Sequence, residues 1–302
     1  MTQSQTRGAL EMSAAMLISG SIGYFVLLSG QSPFQVVFWR CAFGLLALFP
    51  VCFALGLLRP GSITLRQALW AAFGGVAIVI NWLLLFSAYD KAGIGVATVV
   101  YNTQPFMLVA LGALVLKERP TAQKLAWLTL AFAGVLMIIG EKPQGDYLTG
   151  NYASGVLLAL GAAALYAGAA LIAKKLKGVP PHLIALIQVG VGIVLLSPVL
   201  LAAPLPQTSG SWASLGALGL FHTGLMYVLL YGAIQKLPTT LTAALSYIYP
   251  VAALLIDTLF LGTSLHPLQI GGTATILLAA AGATFGWHLP LLRRAGVKPQ
   301  SL

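Results

Sequence analysis

The chain has 302 residues, of which 59% are hydrophobic and 7% are charged, and its formal net charge is +10. A soluble domain carries about 25% charged residues, so a soluble fold of this length could not cover its surface, and the composition predicts a polytopic membrane protein. The positive charges fall between hydrophobic segments and form no basic face interleaved with aromatics, which excludes nucleic acid as a partner and marks the charge as topogenic.

A membrane span needs about 20 predominantly apolar residues. Breaks at charges, Pro and Gly define ten such segments in chain order, near 9–30, 34–58, 66–89, 93–116, 123–140, 153–174, 181–202, 212–235, 239–261 and 268–290. Arg7 precedes the first apolar run, but that run is long enough to span, so it reads as a transmembrane helix and not a cleavable signal. The connections are short and none holds a soluble domain. The only cysteines, Cys41 and Cys52, share the second segment. Eleven residues of helix part them by roughly 16 Å, which excludes a disulfide between them. No metal-ligand spacing occurs, and no cofactor is expected.

Charge bias sets the orientation. With the N-terminus inside, thirteen Lys and Arg fall on inner connections, only Lys91 and Lys142 fall on outer ones, and Arg40 is left within a span. Both termini are therefore expected to be cytoplasmic.

Residues 1–146 and 147–302 each hold five of these segments. Pro33 and Pro180 precede the second and seventh spans. Ala88, Lys91 and Pro105 recur as Ala233, Lys236 and Pro250, 145 residues on, and Pro50 recurs as Pro198. An odd number of spans per copy makes the second copy enter from the opposite side. The expected fold is thus all-α: ten transmembrane helices in two inverted five-helix repeats around a central cavity, the architecture of a secondary transporter. Pro105 and Pro250 fall mid-span, where proline removes a backbone hydrogen bond and kinks a helix. Matching kinks beside a central site are candidate hinges; the alternative is a packing role.

Three stretches carry a family resemblance: Pro33-Phe34-Gln35-Val36-Val37-Phe38-Trp39-Arg40; Tyr101-Asn102-Thr103-Gln104-Pro105-Phe106, leading to Leu116-Lys117-Glu118-Arg119-Pro120; and Ser246-Tyr247-Ile248-Tyr249-Pro250-Val251. With these landmarks the chain resembles the drug/metabolite transporter superfamily in its ten-helix, EamA-type form, over nearly its whole length. Within it the chain is most similar to YddG-type amino-acid exporters. That resemblance implies outward movement of aromatic and other neutral amino acids across a bacterial inner membrane. The chain departs from the family pattern at Tyr249, where a Glu often precedes the proline, and at Thr263, where the first repeat has Glu118. Both changes remove acid, so an ion-coupling role does not carry over to those positions.

An ionisable residue inside a span is a functional candidate by default. Arg40 and Asp257 sit near the outer ends of the second and ninth spans, at similar depths. They can pair, or each can reach the interface separately, Arg40 by snorkelling; a third reading has Arg40 attract a carboxylate near the outer mouth. Glu11 lies at the inner edge of the first span. The mid-span polar residues are uncharged: Asn81, Trp82, Tyr101, Asn102, Tyr166, His222, Tyr227, Tyr231, Ser246 and Tyr249. Each alone can pack between helices. Together, as amides, hydroxyls and rings, they suit a neutral amphipathic substrate, and they are the candidate binding residues. His222 can relay protons or simply hydrogen-bond a backbone carbonyl.

The expected partners are a small-molecule substrate (an amino acid) and membrane lipid. A different neutral metabolite or a drug is the alternative cargo. Small-cation exporters need a central acid, and none of the six acidic residues is expected there. No H-E-x-x-H, no intramembrane aspartate pair and no Ser with a positioned base points to an enzyme. The scarcity of intramembrane acids leans toward facilitated diffusion. Gly74-Gly75, Gly190-x-Gly192 and Gly271-Gly272 permit close helix contact, most simply within one chain, so a monomer suffices.

Overall fold

A computed structural model describes residues 2–140, 152–200, 203–261 and 267–287. Every regular element among them is helical: α1 (Gln3–Ser19), α2 (Ile22–Ser29), α3 (Pro33–Ala54), α4 (Leu65–Tyr101), α5 (Gln104–Leu116), α6 (Ala122–Gly140), α7 (Tyr152–Lys175), α8 (Pro181–Leu200), α9 (Ser209–Gly219), α10 (Met226–Lys236), α11 (Thr239–Ser246), α12 (Ile248–Leu261) and α13 (Pro267–Phe285). Seven helical stretches are long and apolar enough to cross a membrane, and three shorter apolar helices accompany them. The chain is a multi-pass membrane protein. Its outer surface agrees: Phe53, Leu114, Val194 and Leu259 stand exposed, as lipid-facing residues do.

Local sequence explains where the helices start. Thr2 and Thr64 each form a capping box with the glutamine three residues on, satisfying two orphan N–H groups at once. Ser32 caps α3, and Pro33 occupies its first position, where a missing N–H costs nothing. At the far end of α5, Lys117 takes a left-handed conformation, with φ of 56°, and stops the helix.

α4 is longer than any expected span, at 37 residues. It is not straight. Asn81 Nδ2 donates to Tyr101 Oη at 3.4 Å, although twenty residues of straight helix would part them by about 30 Å. Ala88 and Ala97 pack with Ala159 in one cluster. The chain therefore doubles back between Asn81 and Tyr101.

Helix breaks interrupt four of the apolar stretches. α1 yields to α2 at Gly20–Ser21, and α9 passes to α10 through a π-helical turn, Leu220–Leu225. α4 ends at Asn102 and α11 at Tyr247. These last two breaks lie 145 residues apart, and Tyr247 Oη donates to the Asn102 carbonyl at 3.1 Å. Pro105 and Pro250 thus sit just after breaks, Pro105 at the second position of α5 and Pro250 at the third of α12. The helix gives way before each proline, where the ring would have clashed with a preceding carbonyl.

The main contacts join the two halves of the chain: α4 with α7, α1 with α10, α2 with α9, α3 with α8, α6 with α13, and α5 with α11. Glycine makes several of these possible. A Cβ on Gly75 would stand 2.9 Å from the Gln188 Cα, so only glycine lets α4 lie this close to α8. Of the paired glycines in the sequence, Gly190 is different, with open space where its Cβ would be.

Candidate functional site: a central cavity

One cavity lies among α1–α5, α7 and α10–α12. Its volume, measured as the space open to the centre of a water molecule, is about 60 Å³, room for a few waters. Six of the ten expected binding residues line it: Trp82, Tyr101, Tyr166, Tyr227, Ser246 and Tyr249. The aromatic lining is cross-braced. Trp82 Nε1 donates to Tyr227 Oη at 3.0 Å with the rings edge-on, their centroids 5.5 Å apart. Tyr101 and Tyr166 also meet edge-on, at 6.1 Å. Such pairs hold rings in place beyond what burial alone does.

The other four candidates are buried but do not line the cavity. Asn81 reaches the Ala162 carbonyl on α7 at 2.6 Å. Asn102 turns back to the Thr98 carbonyl at 2.7 Å, and its own carbonyl receives Tyr247. Tyr231 donates to Gln188 Oε1 on α8. His222 has its Nδ1 3.1 Å from the Ala217 carbonyl, so that nitrogen carries the proton, and its Nε2 lies 2.7 Å from the Ser21 hydroxyl. These side chains stitch helices together.

The sequence reading did not assign Arg40, Gln104, Tyr89, Met16 or Ser19 to the cavity, yet all line it. Arg40 does not snorkel. It is wholly buried, and its guanidinium carbon lies 3.8 Å from the centre of the Trp82 ring, in a cation–π contact. Arg40 Nε donates to Thr223 Oγ1 at 3.1 Å and Nη2 to the His222 carbonyl at 3.4 Å. Both acceptors lie in the π-helical turn. There the Met226 N–H bonds back to Phe221, not His222. π-turns inside α-helices frequently mark functional sites, and this one presents two oxygens to a buried cation. The proposed partner of Arg40, Asp257, has its side chain outside the described residues, as does Thr263.

Away from the cavity, charged residues tie helix ends together. Glu11 bridges Arg7, at 2.9 Å, and Lys236. Glu118 accepts from the Thr239 N–H at 3.0 Å and from its hydroxyl, and pairs with Lys174 at 3.1 Å. Burial pushes the Glu118 carboxyl up, but the Thr239 hydrogen bonds and the Lys174 ammonium outweigh it and hold the group below its ordinary range. All these residues sit on what the charge bias marks as the inner side.

Comparison with known proteins gives a consistent identity. The model of the EamA-like transporter family matches residues 6–140 and again 153–285. The uncharacterized transporter YxxF of Bacillus subtilis (strain 168) is 27% identical over 98% of this chain and 93% of its own length. A probable amino-acid metabolite efflux pump of Salmonella typhimurium is 28% identical over 81% of this chain and 84% of its own. A solved crystal structure shares the fold with a TM-score of 0.80, at 21% identity, over 96% of this chain and 99% of that one. With a family model matched twice along nearly its whole length, the chain belongs to the EamA-like transporter family.

Proposed function

We propose that this protein exports neutral and aromatic amino acids and related small metabolites across a bacterial inner membrane by alternating access. The carrying observation is the cavity lining: aromatic rings and uncharged polar groups from both halves, with Arg40 the only charged member among the described residues. Rings with hydroxyl and indole N–H tips suit a small amphipathic solute. An organic cation would meet Arg40, which argues against a cation exporter. The relative named an amino-acid metabolite efflux pump supports the cargo class.

The mechanism we infer is that of ten helices in two inverted repeats, 1–146 and 147–302, rocking about the cavity. Residues 145 apart bond to each other twice, Trp82 to Tyr227 and Asn102 to Tyr247. Symmetry-related residues can touch only near the symmetry axis, so both pairs support an axis through this region. The helix interfaces support it too. α1 with α10 mirrors α7 with α4, while α3–α8 and α6–α13 map onto themselves. In this reading the breaks before Pro105 and Pro250 act as hinges, the Glu11–Lys236 and Glu118–Lys174 pairs close the inner end, and both termini are cytoplasmic.

The test is counterflow in proteoliposomes with threonine, methionine and phenylalanine. Exchange of at least one is expected, and Trp82→Ala or Tyr101→Ala should abolish it without unfolding the protein. Folded protein that exchanges none of the three contradicts the proposal.

A further inference from the structure

Two of the residues that line the cavity each keep a buried polar atom without a partner among the described residues. Arg40 makes three contacts, to Thr223, His222 and the Trp82 ring, yet its Nη1 has no hydrogen-bond partner among the described residues. Gln104, also buried and also lining the cavity, leaves its Oε1 equally unpartnered. Buried polar groups are almost always satisfied, so an exception needs a reason. For Arg40 the exception is larger. A guanidinium keeps its charge in proteins, and among the described residues both groups that accept from it are neutral, a hydroxyl and a carbonyl. A buried cation without an anion is costly unless something that visits the site brings one.

The two orphans differ in sign. Arg40 offers a cationic N–H, which calls for an anionic oxygen. Gln104 offers an acceptor oxygen, which calls for an N–H. Trp82, Tyr101 and Tyr249 line the same cavity, and their rings suit an apolar group. We infer that Arg40 holds the carboxylate of the transported substrate and Gln104 its ammonium, so that the site selects α-amino carboxylates by both ends of the zwitterion. The inference rests on the transport reading above and deepens it. Helix breaks adjoin both groups. Gln104 opens α5 directly after the Asn102–Thr103 break, and the π-helical turn sets the oxygens that aim Arg40. Movement at either break would carry a binding group with it.

The test compares ligands that differ only at the two ends. Binding to full-length protein in nanodiscs is read as the ligand-dependent rise in melting temperature, titrated to give an apparent Kd. The probes are threonine, methionine and phenylalanine, their amides, which lack the carboxylate, and 3-phenylpropionate, which lacks the ammonium. The amides should bind at least about tenfold more weakly than the acids, as loss of a hydrogen-bonded charge requires. Gln104→Leu should weaken phenylalanine to the level of 3-phenylpropionate while leaving the latter unchanged. Arg40→Gln should erase the difference between acid and amide. That variant strips Thr223 and His222 of their donor and can misfold, and the wild-type comparison of acid with amide then decides alone. Amides bound as tightly as acids, or no binding by any acid, overturns the inference. Counterflow of acid and amide at equal rates overturns it while transport stands. Carboxylates that bind through Arg40 but are never exchanged leave it standing while transport falls.

Discussion

Trp82 and Tyr227 are 145 residues apart, on α4 and α10, and Trp82 Nε1 donates to Tyr227 Oη at 3.0 Å. That separation equals the one between Pro105 and Pro250. The same tryptophan ring carries Arg40 on its face, and Tyr227 in turn meets Tyr231 edge-on at 5.2 Å. One hydrogen bond thus ties the two halves of the chain and helps to position the buried cation of the cavity.

Tyr227→Phe removes the acceptor and leaves a buried indole N–H unpaired. We expect a loss of about 1 kcal/mol in stability, measured as a lowered melting temperature in detergent. A double variant with Trp82→Phe should cost less than the two single changes added, because the second change removes the orphaned donor.

Thr223→Val keeps the shape of the π-helical turn but withdraws an oxygen that accepts from Arg40 and a hydroxyl that donates to the Leu218 carbonyl at 2.9 Å. The expected cost is about 1–3 kcal/mol, typical of a buried charged group losing a partner. Thermal unfolding compared with Thr223→Ser, which preserves both bonds, checks it. Equal melting temperatures for the Val and Ser variants would rule out a role for the Arg40 contact.

Glu118 provides a pH dependence. Its folded pKa is depressed, because the Thr239 and Lys174 contacts outweigh burial. The stability from this cluster is therefore fully present above the unfolded pKa of a Glu, about 4.3, and is lost as pH falls through the lower folded value. Melting temperature should fall more steeply below about pH 4 in the wild type than in Glu118→Gln. Identical acid profiles for the two proteins would refute the assignment.

Thirteen of the sixteen Lys and Arg residues lie on connections assigned to one side. A fluorescent protein fused after Leu302 should therefore mature in the cytoplasm, and alkaline phosphatase fused there should stay inactive. The opposite pair of results would invert the proposed orientation.

That the chain is a multi-pass helical membrane protein was legible from hydropathy because lipid demands long apolar lengths. Trp82, Tyr101, Tyr166 and Tyr227 stood out as polar-tipped rings within apolar segments, and they line the cavity. Which way each residue points was not legible. These helices are apolar on nearly every face, so sequence periodicity does not separate cavity from helix contact. Hence Asn81, Asn102, His222 and Tyr231, level with the lining residues, turn instead to Ala162, Thr98, Ala217 and Gln188.

Arg40 marks the division most clearly. Sequence by itself determined that a cation lies within an apolar segment, that landmarks of the two halves recur 145 residues apart, and that most of the positive charge falls between the apolar segments, since all three follow from position along the chain. Only the tertiary structure decided that Arg40 turns inward to the cavity and not outward to the interface. That choice depends on a π-helical turn nearly two hundred residues away, whose displaced carbonyl and hydroxyl exist as a pair of acceptors only once α3 and the Leu220–Leu225 segment are packed together.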